Sequence, residues 1–209
     1  MNEILSKTSI ESISLGDALR GRRSIRHFTD EPVDPEIIKR AITAATLAPS
    51  PHGTAPWRFC VLSSESSRKK LAEEMGRNFL SDMEKEGVPI EERMRRHKGS
   101  IQLLSGAPAL ILTALSFDAL DTYDDSEKQE RENMMAEHSL GAALQSLMLA
   151  LTAEGMASVW RCAPLFCPET ARDALALPAD WVPRALILVG HPAAPPPPKK
   201  TSSPEIITR

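Results

Sequence analysis

Residues 136–154 form the most hydrophobic helical segment of the chain, and this segment restricts the fold more than any other feature. Its apolar side chains surround the helix axis almost completely; they are Leu140, Ala142, Ala143, Leu144, Leu147, Met148, Leu149, Ala150 and Leu151. A helix that is apolar on every side must be buried on every side. Because one small domain rarely encloses a helix completely, a second subunit is the natural source of the missing cover. We therefore predict a homodimer.

The length and composition of the chain are those of one soluble domain, which we place at residues 1–209. The net charge of −3 argues against a generally basic surface that binds nucleic acid. No apolar run approaches the roughly 18 residues of a membrane span, and residues 1–7 lack the apolar core of a signal peptide. We predict a cytoplasmic protein whose partner is a small molecule, with no nucleic acid and no membrane involved.

Neither the cysteines nor the histidines have the spacing of a metal site. Cys60, Cys162 and Cys167 are an odd number without a Cys-x-x-Cys pair, so a disulfide framework is not indicated. The five histidines are dispersed and contain no His-Glu-x-x-His pair. We expect no metal ion in this protein.

Helices and strands are predicted to alternate along the chain. Helices are predicted after Asp34-Pro35-Glu36 and over 66–86, 91–104, 136–154 and 168–175, and strands over 57–62, 108–115, 156–162 and 184–189. Alternation alone favours a parallel α/β sheet. However, none of the ten glycines forms a Gly-x-Gly pair, so the dinucleotide fingerprint and the P-loop are both absent.

Three arginines within five residues, in the sequence Arg22-Arg23-Ser24-Ile25-Arg26, predict an anion site. The guanidinium fork matches the oxygens of phosphate or carboxylate. The alternative is a solvated basic turn that pairs with Asp30, Glu31 and Asp34. Near the other end of the chain, four consecutive prolines predict an extended arm that carries Lys199 and Lys200. This arm would complement the arginines, unless it is a frayed tail.

Three further features leave two interpretations each. The loop 48–56, with three prolines and one glycine, is either a preorganised wall for a flat ligand, through Ser50, His52 and Thr54, or a structural turn. Met75, Phe79 and Met83 repeat every four residues and form either core or a cover over a pocket. Arg161 interrupts an apolar strand and either pairs with an acid or faces the substrate.

Several motifs together resemble the FMN-dependent nitroreductase family. The opening motif is residues 22–28, followed by Pro32-Val33 and then by Ala48-Pro49-Ser50 with Pro56-Trp57-Arg58-Phe59. The similarity continues through 142–151, 155–160 and Gly190-His191-Pro192. The resemblance implies an α+β fold, with a mixed, largely antiparallel sheet flanked by helices in an intertwined homodimer. This expectation replaces the parallel sheet.

The resemblance also implies a set of residues that hold FMN at the subunit interface. Arg22, Arg23 and Arg26 would address the phosphate and the ring edge with help from Ser24, and Lys199 or Lys200 would complete the phosphate site. The isoalloxazine would be bordered by Ala157 and Ser158 and, from the other subunit, by Ser50, Pro51, His52, Gly53 and Thr54. The flavin carries the chemistry, so no catalytic side chain is expected.

The chain departs from the family pattern at three positions. Gly53 and Ala55 stand where many members have asparagine and glutamine, so His52 or backbone groups would have to replace the side-chain amides. Ala157 stands at the second glycine of the usual Gly-x-Gly. The Pro-His-x-Thr variant is similar to the flavin-binding C-terminal domain of the bifunctional enzyme that completes coenzyme F420.

The implied activity is hydride transfer from NADH or NADPH through FMN to a nitroaromatic, a quinone or a conjugated small molecule. One alternative is a stand-alone reductase of F420 or deazaflavin metabolism, in which Arg77, Asp82 and His97 contact an acidic substrate. Two others are a non-catalytic flavin-binding dimer and a flavin-consuming synthase of the same fold.

Overall fold

The computed structural model of the protein describes residues 13–198 and 203–209. Its helices are α1 (Leu15–Gly21), α2 (Pro35–Ala45), α3 (Glu65–Lys85), α4 (Ile90–Ser105), α5 (Ser126–Ala153) and α6 (Pro168–Ala174). Its strands are β1 (Trp57–Leu62), β2 (Ala109–Leu115), β3 (Ala157–Arg161) and β4 (Val182–Gly190). Two 3-10 turns cover Pro51–Gly53 and Ala163–Phe166. The predictions for residues 1–7, Lys199 and Lys200 lie outside the described residues.

The four strands form one sheet in the order β1-β2-β4-β3, and every neighbouring pair is antiparallel. The α+β expectation is therefore confirmed, and the parallel sheet suggested by alternation alone is wrong. The reason is visible between β1 and β2, where two helices, α3 and α4, pack against each other. A pair of antiparallel helices returns the chain to the end of the sheet that it left, whereas a single crossover helix would have produced a parallel neighbour.

Helix α5 begins ten residues earlier than predicted, because Asp125 caps a polar first half that hydropathy does not reveal. The carboxylate of Asp125 accepts hydrogen bonds from the backbone N–H groups of Glu127 and Lys128. In the apolar half, the side chains that are completely covered are those of Ala136, Ala143, Leu144, Leu147 and Leu151. Although α5 has 28 residues, none of the helices in the described part of the chain is both long and apolar enough to cross a membrane.

One stripe of α5 is left incompletely covered by the single chain. The stripe is spaced by three and four residues and consists of Met135, His138, Ala142, Gln145, Leu149 and Thr152. All six are exposed or half-buried, whereas the opposite face packs on the sheet and on α2. This spacing is that of a helix seam that packs against another helix. This stripe is therefore the part of α5 that a second subunit would have to cover.

Helix α2 shows how closely a local signal determines a helix start. Asp34 accepts a hydrogen bond from the N–H of Glu36 at 2.9 Å, and Pro35 occupies the first helical position. We expect Asp34→Ala to lower the free energy of unfolding by about 1 kcal/mol, since one N-terminal N–H loses its partner. Urea denaturation measures this value. Glu36→Ala, which keeps the cap and removes only an exposed ion pair with Lys39, should change it by less than half as much.

Candidate functional site

Backbone hydrogen bonds join the arginine-rich segment to β3 on one side and to the residues that follow β4 on the other. The N–H of Ile25 donates to the carbonyl of Ser158 at 3.0 Å, and the N–H of Thr29 donates to the carbonyl of His191 at 3.0 Å. The N–H of Ala193 donates to the carbonyl of His27 at 3.1 Å. Two motifs that lie more than 160 residues apart in the chain are thus joined in one place.

The guanidinium of Arg23 is hydrogen-bonded to backbone carbonyls. Its Nε donates to the carbonyl of Pro197 at 2.7 Å, and one terminal nitrogen lies 2.5 Å from the carbonyl of Arg20 and 3.0 Å from that of Arg22. A guanidinium placed here satisfies carbonyls that the end of α1 leaves without intrahelical partners. Nε and one terminal nitrogen of Arg23 are therefore engaged by the backbone, and its contact with a phosphate stays a prediction.

Arg22 and Arg26 are in a different situation. Among the described residues, the guanidinium of Arg22 has no hydrogen-bond or ion-pair partner, and that of Arg26 has only a 3.5 Å contact with the carbonyl of Ser24. Of the acids proposed as partners for a solvated turn, Asp34 caps α2 and Glu31 lies 3.7 Å from His191. Two cations of the predicted cluster are therefore available to an anion, next to the exposed Ser24.

A cavity of about 630 Å³ lies between the α3–α4 pair and the end of β3 with the turn that follows it. Its apolar lining comes from Met75, Phe79, Met83, Leu103, Leu104, Trp160, Ala163 and Phe166. Its polar lining comes from Asn78, Asp82, Glu86, Arg96, Ser100, Arg161, Cys162 and Cys167. The volume and the mainly apolar walls with a few polar groups are typical of a small-molecule site.

Both interpretations of the methionine and phenylalanine stripe on α3 are partly realised. Met75 and Met83 are buried in the core, whereas the ring of Phe79 is 39% exposed. All three line the cavity. The stripe therefore forms the floor of the cavity and supplies one aromatic ring at its surface.

The charged side chains of the cavity differ in how well they are paired. Nε of Arg96 lies 2.5 Å from Glu92, and hydrogen bonds from Arg95 and Arg96 lower the pKa of Glu92 to about 2. The carboxylate of Asp82 lies 3.2 Å from Nζ of Lys85. Arg161 is half-buried and has no ion-pair or hydrogen-bond partner within residues 13–198 and 203–209. The interpretation that Arg161 pairs with an acid therefore finds no such acid among the described residues, and the interpretation that it faces the substrate stays a prediction.

Ala157 and Ser158 are buried within the sheet. Both are in β3, with relative exposures of 6% and 2%, and Ala157 pairs with Gly190 of β4. Their border with a flavin ring stays a prediction. The residues of β3 that line the cavity begin two positions after Ser158, in the stretch from Trp160 to Ala163. Sequence reasoning singled out Arg161 in this stretch and missed Cys162 and Ala163. The signal for them was Pro164, which marks the point where the strand ends and side chains leave the sheet.

The loop before β1 is folded by its own hydrogen bonds. The N–H of Ala55 donates to Oγ of Ser50 at 3.1 Å, and the hydroxyl of Thr54 donates to the carbonyl of Pro51 at 2.8 Å. His52 has a positive φ of 50°, and its Nε2 lies 3.3 Å from Oε1 of the buried Glu132. A positive φ is costly for a residue other than glycine and is often found at functional sites.

This loop and the arginine-rich segment occupy opposite corners of the sheet. The loop leads into Trp57, which pairs with Leu115, and Leu115 pairs with Val182 at the start of β4. Ser158 pairs with Val189 at the other end of β4. Standard spacings place the two corners roughly 23 Å apart along the strands and roughly 14 Å apart across them. A single chain does not bring both around one ligand.

Of the three residues proposed to contact an acidic substrate, one reaches the cavity. Asp82 lines it. Arg77 forms an exposed ion pair with Glu74, and His97 packs against Gly76 between α3 and α4. The predicted cations Lys199 and Lys200 follow Pro197, whose carbonyl accepts from Arg23, so the chain leaves the described region beside the arginine-rich segment.

Three comparisons with known proteins agree on the kind of chain to which this one is similar. A model of the nitroreductase family matches residues 19–191. A putative NAD(P)H nitroreductase, YfhC of Bacillus subtilis, is 29% identical over 188 residues, which are 89% of this chain and 88% of that protein. The 5,6-dimethylbenzimidazole synthase of Rhodospirillum rubrum is 28% identical over 177 residues, which are 84% of this chain and 81% of that protein.

The comparisons also include a relative named as a deiodinase and solved structures of similar fold. The iodotyrosine deiodinase of Drosophila melanogaster is 31% identical over 182 residues, which are 85% of this chain and 62% of that protein. Among solved structures, a nitroreductase-like family protein from Bacillus cereus superposes with a TM-score of 0.70 at 23% identity, over 94% of this chain and 97% of that chain. An iodotyrosine deiodinase bound to FMN and 3-iodo-L-tyrosine superposes with a TM-score of 0.69 at 22% identity, over 94% and 98%.

Proposed function

Because the chain belongs to the nitroreductase family, we propose that it is an FMN-dependent oxidoreductase. It takes a hydride from NADH or NADPH and passes it to a small conjugated acceptor, such as a nitroaromatic or a quinone. The observation that carries this proposal is the position of the arginine-rich segment, which is hydrogen-bonded to β3, the same strand that ends in the 630 Å³ cavity. An anion-binding segment and a mainly apolar cavity on one strand suit a ligand with a phosphate at one end and a flat ring at the other.

The residues present fit FMN. Arg22 and Arg26 provide guanidinium donors that no acid among the described residues occupies, and Ser24 is exposed beside them. The hydroxyl of Ser158 is buried and has no hydrogen-bond partner among the described residues, and Ser158 itself forms a bridge with Ser24 of the arginine-rich segment. FMN supplies the two-electron chemistry when it is bound. The chain supplies the charge that holds the phosphate and the apolar walls that keep water from the ring.

A homodimer completes this site. The loop at residues 50–54 lies at the opposite corner of the sheet from the arginine-rich segment, so it would serve the site of a second copy. The incompletely covered stripe on α5 offers a surface for that copy. With Gly53 and Ala55 in this loop, the exposed His52, whose Nε2 lies 3.3 Å from Oε1 of Glu132, takes the place of the family's side-chain amides.

The acceptor is less constrained than the cofactor, since relatives of this chain include a deiodinase and a synthase. The proposal of a deazaflavin or F420 reductase is supported by one residue, Asp82, because Arg77 and His97 are engaged elsewhere. Faster reduction of an F420 precursor than of nitrofurazone would favour this second candidate.

The proposal is tested by a spectrum. We expect the protein, after incubation with FMN and desalting, to retain the visible absorption bands of a flavin, and we expect these bands to bleach when NADPH or NADH is added without oxygen. Readmission of oxygen or addition of a nitroaromatic should restore them. A protein that is folded but retains no flavin would contradict the proposal and favour a binding protein of the same fold. Retained flavin that neither nucleotide bleaches would contradict the NAD(P)H donor.

A further inference from the structure

Arg161 is the last residue of β3, at the point where the sheet meets the cavity. Its backbone pairs with Leu186 in the middle of β4, which is buried, so the strand fixes the position from which the side chain departs. The residue is half-buried and lines the cavity. A guanidinium at the wall of a mainly apolar cavity is a strong binding group for an anion.

The other charges of the cavity do not neutralise Arg161. Arg96 is occupied by Glu92 at 2.5 Å, and Asp82 lies 3.2 Å from Lys85. Glu86 is exposed to solvent and forms no ion pair with Arg161. Arg161 is therefore the half-buried cation of this cavity for which the described chain supplies no anion.

We propose that the acceptor carries a carboxylate next to its aromatic or conjugated system, and that Arg161 binds this carboxylate. The inference rests on the proposed function, because it names the class of acceptor for the same cavity. A guanidinium binds a carboxylate through two parallel hydrogen bonds, which fix orientation as well as position. The aromatic walls formed by Phe79, Trp160 and Phe166 suit the ring to which such a carboxylate is attached. The phosphate of the cofactor does not require this cation, since Arg22 and Arg26 belong to a different segment, which pairs with Ser158 of β3.

The test compares two acceptors of nearly equal shape, 4-nitrobenzoate and 4-nitrobenzamide, in the FMN-loaded protein. Comparing variants by the ratio of kcat/KM for the two acceptors removes the intrinsic difference in their reactivity. A charge-assisted hydrogen bond is worth about 1.5–3 kcal/mol, so Arg161→Gln should lower this ratio by about 10-fold or more. Arg161→Lys keeps the charge without the fork and should lower it less.

Arg96→Gln is the matched control. It removes a guanidinium from the same cavity, but one that Glu92 already neutralises, so the ratio should stay as in the unchanged protein. Calorimetric titration with benzoate and with benzamide reports the same preference without turnover, and it also applies if no nitro reduction is observed. If Arg161→Gln does not fold, the test uses the ratio of kcat/KM in Arg161→Lys and the affinities of the unchanged protein for benzoate and benzamide.

Three results would overturn the inference. The first is an unchanged ratio in Arg161→Gln together with equal affinity of the unchanged protein for benzoate and benzamide. The second is a raised Kd for FMN in Arg161→Gln with no change in the ratio, because Arg161 would then hold the cofactor. The third is a raised KM for NADPH but not for 4-nitrobenzoate, because the anion would then belong to the donor. A protein that retains no flavin contradicts the proposed function instead.

Discussion

Replacing Arg22 with glutamine is expected to raise the Kd for FMN by about 10- to 100-fold, the equivalent of losing one charge-assisted hydrogen bond to a phosphate. The guanidinium of Arg22 has no partner within the described chain, so the substitution removes a ligand contact without breaking an internal one. Arg26→Gln should act in the same direction. Quenching of FMN fluorescence during titration of the apoprotein measures the Kd.

Arg23→Gln separates binding from folding. Arg23 donates to carbonyls of Arg20, Arg22 and Pro197, so its loss should lower the Tm while folded molecules keep their affinity for FMN. Arg20→Gln, which removes an exposed ion pair with Asp17 on the same helix, should change neither quantity appreciably. If Arg23→Gln weakened FMN binding as much as Arg22→Gln at an unchanged Tm, the distinction between the two arginines would be wrong.

The second large effect is expected at Gly190, the last residue of β4. A Cβ at this position would lie 2.8 Å from Cδ of Pro108 and 2.9 Å from both Cβ and Cδ1 of Phe28. These atoms belong to a rigid ring and to the root of a side chain, so the backbone must move. Overpacking of this kind costs about 1–3 kcal/mol, which urea denaturation of Gly190→Ala should show.

The same substitution should also weaken FMN binding, because Phe28 belongs to the arginine-rich segment and forms a bridge with Pro192. Displacing it loosens the backbone that positions Arg26 and Arg22. Gly99→Ala is the matched control for stability: a Cβ there meets no atom of another part of the protein within 4 Å, and alanine in a helix is favoured by about 0.5–1 kcal/mol. Gly190→Ala with unchanged stability and unchanged Kd for FMN would show that the segment accommodates the methyl group.

Local features of the sequence predicted most of the elements. The strand at 57–62 was predicted with its observed bounds, and the helix after Asp34 begins at Pro35 as its cap and proline indicate. The start of α5 was missed because residues 126–135 are mainly polar, and helix formation there depends on the Asp125 cap and on continuity with the apolar half. Ranges for the remaining strands differ by one or two residues, which is the usual uncertainty at element ends.

The candidate site was predictable only in part. The arginine-rich segment stands out because three cations within five residues are a recognisable local pattern for an anion site. The sequence does not show which of the three guanidinium groups forms hydrogen bonds within the chain, because Arg23 donates to the carbonyl of Pro197, 174 residues away. The burial of Ala157 and Ser158 could not be read for the same reason, since the burial of a strand residue depends on the neighbours it acquires across the sheet.

The sequence by itself indicated most of the helices and strands, the family and a candidate anion-binding motif, because each depends on residues that are close together in the chain. Tertiary structure alone decided that the sheet is antiparallel and that Arg23, unlike Arg22 and Arg26, is engaged by backbone carbonyls. It also decided that the half-buried Arg161 faces a cavity in which no acid of the described residues pairs with it. These properties depend on contacts between segments distant in sequence. Burial and pairing of a charge are set by which segments meet, and no local pattern contains that information.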